Sequence, residues 1–274
     1  MPVQTTARVK NVARRLPLCL LLLLAAAASG CDIVTAEFKS KESSEWRRTY
    51  PLQAGARVEL SNVNGRIEVT AATGNTLEVV AVKTARGATP EAARTALDRI
   101  EIRDEATASG VRIETKTARG GAFNHGSGEV RYTVRVPPSA NVRFTTVNGG
   151  IELTGLDGQV ELESTNGGIR ARDVSGSIDA STTNGGVDVE LSRVSEPGVK
   201  LECTNGGIKL RLPPDAKATI SASITNGGID VARADGMALE TRESTRRRLE
   251  ATLNGGGPPI RLSGTNGGIH ISPR

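Results

Sequence analysis

The sequence predicts an all-β chain: a right-handed parallel β-solenoid of about 18–21 residues per coil, with an N-terminal cap that contains one short helix. Three observations favour this fold class. One tripeptide recurs at nearly constant spacing, short segments alternate apolar and polar residues, and all six aromatic residues lie before residue 145. A region without aromatic rings must pack a thin core of Ile, Val, Leu and Ala, which two facing layers of strand permit.

The tripeptide Asn-Gly-Gly sets the period of the predicted coils. From residue 148 onward, the spacings between successive asparagines are 18, 18, 21, 21, 28 and 12 residues. Similar turns at one period are typical of stacked coils, each of which buries its face on its neighbours. The predicted structural turns begin at Asn64 (where arginine replaces the second glycine), Asn148, Asn166, Asn184, Asn205, Asn226, Asn254 and Asn266.

Most coils are predicted to hold two strands. Residues 187–191 follow one Asn-Gly-Gly turn, residues 199–202 follow a second turn at Pro197-Gly198, and both segments alternate with period two. Because Asn-Gly also favours tight hairpins, an antiparallel meander or sandwich is the alternative. The usual handedness of parallel crossovers favours a right-handed coil.

The chain is predicted to have four parts. Residues 1–30 form a lipoprotein signal peptide, 31–45 a lipidated flexible tether, 46–147 the N-terminal β-rich part and cap, and 148–274 the Asn-Gly-Gly repeat solenoid. The cap includes a predicted helix with Thr89 as N-cap, Pro90 as the first helical residue and an end near Arg99. Its predicted strands lie near residues 77–82, 111–115 and 129–136.

The N-terminal residues have the order of an export signal. Basic residues end at Arg15, and the apolar run from Leu16 to Ala28 is shorter than the roughly 20 residues that span a bilayer. The segment Ala28-Ser29-Gly30-Cys31 resembles the bacterial lipobox, which implies cleavage before Cys31 and lipidation of that cysteine. The alternatives are an ordinary signal peptide cut near Ala28 and an uncleaved signal anchor.

The net positive charge belongs to the predicted leader. The chain has 35 Lys and Arg residues against 30 Asp and Glu residues. Residues 1–30 hold four of the basic residues and no acidic one, so the remainder is almost neutral, with 31 against 30. No nucleic-acid partner is therefore expected. The predicted partners are a membrane, through the N-terminal lipid, and an envelope protein or polysaccharide ligand.

No catalytic, metal or cofactor site is predicted. His125 and His270 are far apart in sequence and lack metal-ligand spacing. Cys203 is in phase with inward residues and is expected to be a buried, inert thiol. The glycine-rich loop 120–128 lacks the Lys-Ser/Thr pair of a phosphate-binding loop. Basic residues follow the glycines where a calcium-binding roll needs aspartate, so no calcium site is expected.

A cluster of arginines lies within the 28-residue spacing. Its members are Arg242, Arg246, Arg247 and Arg248. One interpretation is a solvated loop. The other is a basic patch that meets anionic lipid or an envelope polymer.

Equivalent positions of successive coils are predicted to form columns. Asn166 and Asn205 are in phase with inward residues, which predicts an inward column of hydrogen-bonded amides. The three extra residues of the 21-residue coils should bulge near residues 194–198 and 212–215. Outward residues show opposite charges at successive coils, which favours this register. The two predicted outward columns are Glu152, Arg170, Asp188, Lys209, Asp230 and Thr154, Arg172, Glu190, Arg211.

Residues 46–274 together resemble the "putative adhesin" family, a bacterial envelope domain of unknown function. The resemblance is carried by Val58–Val69, by the helix-containing insertion near Thr89–Arg99 and by the run of Thr-Asn-Gly-Gly-Ile turns. It implies a β-helical fold. The adhesin label of the family implies a surface or binding role, although a fold by itself is a weak indication of function.

Three function classes are compatible with the sequence. The favoured one is a non-catalytic envelope lipoprotein that presents a rigid β-solenoid for adhesion, structural or binding roles. The second is an envelope-stress accessory protein with a partner in the same membrane. The third is a polysaccharide-active enzyme on a β-helix, which would need paired carboxylates and aromatic platforms. The expected location is the bacterial envelope, lipid-anchored on the exported side, either periplasmic or at the cell surface.

Overall fold

The computed structural model describes residues 40–53, 55–117, 126–232 and 237–274. The predicted signal peptide, Cys31, His125 and most of the predicted tether lie outside these residues. In the described part, the elements are β1 (Ser40–Pro51), β2 (Arg57–Asn64), β3 (Ile67–Ala71), β4 (Thr76–Gly87), α1 (Pro90–Asp98), β5 (Ile100–Thr107), β6 (Gly110–Thr117), β7 (Gly126–Val136), β8 (Asn141–Asn148), β9 (Ile151–Thr154), β10 (Val160–Asn166), β11 (Ile169–Val174), β12 (Ile178–Asn184), β13 (Val187–Leu191), β14 (Val199–Asn205), β15 (Ile208–Leu212), β16 (Ala218–Val231), β17 (Leu239–Ser244), β18 (Arg248–Leu253) and β19 (Pro259–Pro273).

The repeats stack as two columns of parallel strands, which Asn-Gly-Gly turns join in six coils and Asn64-Gly65-Arg66 joins in the first repeat. Column A contains the strands that precede these turns, such as β8, β10, β12 and β14, and column B contains those that follow, such as β9, β11, β13 and β15. Val160 lies opposite Val142 on one side and Ile178 on the other, so equivalent residues are neighbours. The solenoid-like repeat architecture is confirmed, and the meander is wrong for this region.

The whole sheet is mixed rather than purely parallel. Antiparallel pairs occur at both ends of the stack, where β4 pairs with β1 and β7, β5 pairs with β6, and β18 pairs with β16 and β17. The predicted parallel β-helix therefore describes the repeats but not the two ends of the sheet. The right-handed sense of the coils stays a prediction.

The order of coils in space differs from their order in the sequence at both ends. Strands β6 and β7 pair with β2 and β3, and so form a coil on the outer side of the first repeat. Strand β19 runs through both columns and lies between β14–β15 and β16. The last turn in the sequence, at Asn266, therefore belongs to the penultimate coil, and the turn at Asn226 belongs to the outermost one.

The core between the two columns is thin and aliphatic, as predicted from the scarcity of rings. Alternate residues of each strand face inward, and in β13 and β15 these are valines, isoleucine and leucines that are almost completely buried. Tyr132 and Phe144 are the largest fully buried side chains, and both lie toward the N-terminal end.

The N-terminal cap contains the predicted helix. Thr89 accepts a hydrogen bond at Oγ1 from the backbone N–H of Ala92 at 3.2 Å, and Pro90 begins the helix, as expected. Ala93 and Leu97 are the buried side chains of α1, which packs mainly against β4 and β1. The helix thus covers strands that have no further coil on their outer side.

The flexible tether predicted for residues 31–45 is wrong over residues 40–45. These residues belong to β1, which pairs with β4 from Ser40 opposite Gly87 to Pro51 opposite Thr76. The Lys- and Glu-rich composition favoured a tether, but β4 offers a free backbone edge that a strand of any composition can satisfy. Charged residues on this outer strand also discourage pairing with other chains.

The first glycine of each turn has no room for a side chain. A Cβ on Gly149, Gly167 or Gly185 would lie 2.2, 2.0 or 2.3 Å from the carbonyl oxygen of the first glycine in the preceding coil. The same close approach occurs at Gly206, Gly227 and Gly267. The second glycine is different, since a Cβ on Gly168 would meet its nearest neighbour, the Gly186 carbonyl oxygen, at 3.4 Å.

This difference predicts unequal effects of two adjacent substitutions. Gly167→Ala should lower the free energy of unfolding by at least about 3 kcal/mol, because its methyl group collides with backbone that cannot move without shifting a coil. Gly168→Ala should remain within about 1 kcal/mol of the wild type, because alanine fits and also restricts the unfolded chain. Urea unfolding of both variants tests this. Equal destabilisation would contradict the glycine stack.

Two tyrosines in the N-terminal part predict a loss of stability at high pH. Burial, the largest cause, raises the pKa of Tyr132 to about 12, while its hydrogen bond to Thr115 acts in the opposite direction. Burial and then the hydrogen bond to Asp104, at 2.7 Å, raise the pKa of Tyr50. The folded state thus favours the neutral phenols. That stabilisation is complete below the unfolded pKa near 10 and should be lost as pH rises toward 12.

Absorbance of tyrosinate at increasing pH measures this directly. At about pH 11, the native protein should show little tyrosinate, whereas the tyrosines of the urea-unfolded chain should be mostly ionised. Tyrosinate that forms at the same pH in both states would show that neither phenol is protected.

Candidate binding surface

An asparagine ladder runs along the outside of the Asn-Gly-Gly turns. Each Nδ2 donates to the Oδ1 of the asparagine in the adjacent coil at 2.7–3.0 Å. At its N-terminal end, Asn64 Nδ2 donates to the Gly128 carbonyl at 3.2 Å. In spatial order, the ladder contains Asn64, Asn148, Asn166, Asn184, Asn205, Asn266 and Asn226.

The inward orientation predicted for Asn166 and Asn205 is wrong, although the predicted pairing between coils is present. Both side chains are exposed. The period-two phase ends at Ser164, which faces inward, and Thr165 and Asn166 both face outward because the chain turns there. A stacked column of amides can satisfy itself at the surface as well as in the core.

Asn254 is not part of the ladder. Its φ is 49°, and its Nδ2 donates to the carbonyls of Pro214 and Ala216 at 2.9 and 2.8 Å. Its Oδ1 accepts from the N–H of Ala238 at 2.9 Å. The turn at Asn254 thus fixes the region between β18 and β19 instead of joining columns A and B.

The inward polar side chains of the repeats are not the asparagines but the residues two places before them. Thr146, Ser164, Thr182 and Cys203 occupy this inward polar position, and each donates to the carbonyl of the first glycine in the preceding coil. The distances from Ser164 Oγ, Thr182 Oγ1 and Cys203 Sγ are 2.9, 2.8 and 3.1 Å. These carbonyls need donors because they lie beside the core. Burial raises the pKa of the Cys203 thiol, consistent with an unreactive side chain.

The first predicted charge column is present from Glu152 to Lys209. Arg170 lies opposite Glu152 in one neighbouring strand and opposite Asp188 in the other. Arg170 and Glu152 form an ion pair at 3.2 Å, whereas Asp188 accepts from Arg211 at 2.8 and 3.3 Å.

Two parts of the predicted columns are wrong. Asp230 does not lie next to Lys209, because β19 places His270 between them, and His270 Nδ1 lies 2.8 Å from Asp230 Oδ2. In the second column, Arg172 lies opposite Thr154 but not Glu190, because an irregularity in β11 between Ala171 and Val174 shifts the register.

Glu190 lies opposite Arg211 as predicted, and the pair is 3.7 Å apart. The extra residues of the longer coils also lie where predicted, in the loops 192–198 and 213–217.

A groove, called here the glycine groove, lies between the asparagine ladder and the first charge column. Two adjoining cavities of about 1040 and 500 Å³ share Arg66 and Gly150 as lining residues. Second glycines form its floor, charged residues of column B form one wall, and Asn64 and Asn148 line the other wall at the N-terminal end. The floor glycines are Gly150, Gly168, Gly186 and Gly207.

The N-terminal end of the glycine groove is rich in arginine. Arg66, Arg86 and Arg131 line it together with Glu68 and Glu129. The repeat pattern does not predict Arg86 or Arg131, because β4 and β7 lie outside the repeats and the pairing of β7 with β3 brings these strands to the turns. The second glycine of each Asn-Gly-Gly repeat is the sequence feature from which the floor of the groove could have been predicted.

The structure places the predicted basic patch on the hairpin that covers the C-terminal end of the stack. Arg242 lies in β17, Arg246 and Arg247 in the turn, and Arg248 at the start of β18, and all four side chains are exposed. The backbone carbonyls of Arg246 and Arg247 accept from β16 at 3.0 and 2.9 Å, so the turn is held against the last coil. Arg248 also lies 3.9 Å from Glu243.

No set of three or more His, Cys, Asp or Glu side chains with metal-binding geometry occurs within the described ranges. Among those same residues, no helix has the length and hydropathy needed to cross a bilayer.

The molecule is thus a repeat-built β protein with a regular polar surface along its turns. The chain belongs to the Toastrack DUF4097 family, whose model matches residues 51–272. No curated protein matches the chain.

Solved structures with low sequence identity cover most of the chain. A protein from Clostridium sporogenes, described as a putative cell adhesion protein, has a TM-score of 0.45 at 12% identity, covering 84% of this chain and 100% of its own. A putative adhesin from Bacteroides fragilis has a TM-score of 0.40 at 11% identity, covering 84% and 97%. A putative lipid binding protein from Parabacteroides distasonis has a TM-score of 0.23 at 11% identity, covering 86% and 97%.

The inward polar position predicts different effects of two neighbouring threonines. Thr182→Val should destabilise the protein by about 1–3 kcal/mol, because the half-buried Gly167 carbonyl loses its donor while the shape of the side chain is kept. Thr183→Val is the matched control, since Thr183 is exposed, and should change stability by less than about 0.5 kcal/mol. Thermal and urea unfolding give both values. A neutral Thr182→Val would refute the role of this hydrogen bond.

Proposed function

We propose that this chain is a lipid-anchored protein of the bacterial cell envelope, which presents its β-solenoid as a rigid, non-catalytic surface for adhesion or binding. The observation that carries this proposal is the glycine groove, a polar groove that follows successive coils and has backbone as its floor. Its walls are built on strands whose backbones pair with strands on both sides, so they are preorganised for a partner.

The side chains of the groove support binding rather than chemistry. Glu152 lies 3.2 Å from Arg170 and 3.5 Å from Arg66, and Asp188 is held by Arg211 at 2.8 Å. These carboxylates are engaged in ion pairs. A polysaccharide hydrolase needs one carboxyl group that donates a proton and a second that faces the scissile bond.

The order of residues in the leader supports anchoring. A basic segment, a short apolar run and small residues precede Cys31. Two or three acyl chains on that cysteine would give stable membrane attachment, where one chain gives only marginal binding. The exported side of a membrane, in the periplasm or at the cell surface, is then the expected location.

Photo-crosslinking from two matched positions tests the binding surface. A crosslinking amino acid replaces Lys209, on the groove wall, or Glu163, an exposed position on column A outside the groove. Both variants are produced as full chains in the native envelope. Specific products from position 209 alone would support the proposal. Equal products from both positions, or none from 209, would contradict it.

Lipidation predicts a change in membrane attachment on replacing one cysteine. Cys31→Ala should abolish labelling by a fatty-acid analogue and leave the precursor uncleaved or release the protein from washed membranes. Cys19→Ala, within the predicted leader, is the control and should be labelled and processed like the wild type. Normal processing and membrane retention of Cys31→Ala would show that the lipobox interpretation is wrong.

A further inference from the structure

We propose that the glycine groove binds a linear acidic glycan, which lies extended along the stack of coils with acidic groups near Arg66, Arg86 and Arg131. This inference rests on the proposed function and specifies its ligand class and site. Three independent features of the groove support it: its floor, its hydrogen-bonding wall and its charge.

The floor of the groove carries no side chains, although the backbone conformation of the turns does not require glycine at the second position. The second glycines of the turns that carry the asparagine ladder have no left-handed φ, unlike Gly256 of the Asn254 turn. A Cβ at these positions would meet its nearest neighbour at 3.1–3.8 Å, in contrast to the collision at the first glycine. The first repeat has Arg66 at this position, so the turn accepts a side chain. Repeated use of glycine there leaves a continuous strip of uncovered backbone, which a ligand can approach closely.

One wall offers two neighbouring amides, Asn64 and Asn148, at the N-terminal end of the groove. Each uses one Nδ2 hydrogen, Asn64 toward the Gly128 carbonyl and Asn148 toward Asn64, and each Oδ1 accepts one hydrogen bond from the next asparagine. Each amide therefore keeps a second hydrogen and a second lone pair for a ligand. Neighbouring amides are one strand spacing apart, about 4.8 Å. Extended glycans with equatorial linkages repeat their rings at a similar interval, so successive hydroxyl groups can meet successive amides.

The charge of the groove favours acidic groups at its N-terminal end. Arg66 lies 3.7 Å from Glu68 and 3.5 Å from Glu152, and Arg131 lies 3.9 Å from Glu129, so all three ion pairs are long. Arg86 is exposed and has no ion pair within the part of the chain that the structure describes. A guanidinium group can bind a carboxylate or phosphate through two parallel hydrogen bonds. Farther along the groove, Arg170 and Lys209 alternate with acidic residues.

Among the residues that the structure describes, the lining of the groove contains no aromatic side chain on which a sugar ring could stack. Each sugar therefore contributes little, and affinity must accumulate over several coils. Binding should consequently strengthen with oligosaccharide length until the groove is filled. It should also weaken with salt, because the arginines are exposed.

Isothermal titration of the detergent-solubilised full-length lipoprotein tests the inference. The probes are hyaluronan oligosaccharides of increasing length, which are linear and acidic, and chitin oligosaccharides of matched length, which are linear and neutral. We expect hyaluronan binding that tightens with length and falls as salt is raised, and chitin binding at least about tenfold weaker.

Two sets of variants locate the site. Gly168→Val with Gly186→Val fills the floor, and replacing Arg66, Arg86 and Arg131 by glutamine removes the charge without touching the core. Each set should weaken hyaluronan binding by at least about tenfold. Arg143→Gln is the matched control, since it removes an exposed arginine of column A outside the groove. If the double valine variant fails to fold, the variant with the three arginines replaced by glutamine still tests the site.

Three results would overturn the inference: no hyaluronan binding at any length, affinity that does not depend on length, or unchanged affinity in the arginine set. The proposed function would survive each of them if crosslinks from position 209 captured an envelope protein, because the groove would then serve a protein partner. Glycan binding together with crosslinks from position 209 to glycan rather than to protein would support both.

Discussion

The close approach of first glycines in successive coils is the constraint on which the rest of this fold depends. The carbonyl oxygen of one glycine occupies the place where the next coil would carry a Cβ. This contact fixes each turn directly above its neighbour, and the strands on both sides are then in register. The asparagine ladder, the inward Thr, Ser and Cys hydroxyl or thiol groups and the outward charges all follow, because each occupies a constant position relative to that turn.

Much of this architecture could be predicted from the sequence because the repeat itself encodes it. Period-two alternation identified the strands, and the constant offset from the asparagine placed Arg170 between Glu152 and Asp188. The orientation of Asn166 could not be obtained in the same way, because strand periodicity stops where the chain turns. The irregularity near Asp173, which has a φ of 51°, likewise breaks the alternation without a sequence signal as strong as a glycine.

The spatial order of the coils could not be predicted from the repeat pattern either. Similar repeats show which residues are equivalent but not which coils are neighbours, so Asp230 was placed beside Lys209 when His270 lies between them. The groove arginines Arg86 and Arg131 were missed for a related reason. They come from the antiparallel cap strands, whose positions depend on long-range pairing rather than on any local motif.

The position of β19 has a consequence for how the protein acquires its structure. Residues 259–273 lie between β14–β15 and β16, which are made earlier. During synthesis, β16 and its hairpin have no parallel neighbour until these residues emerge. The final coils must therefore assemble together rather than one after another. Such a late, long-range step is slow and leaves backbone edges open, so folding of this end is the stage most exposed to misassembly and proteolysis.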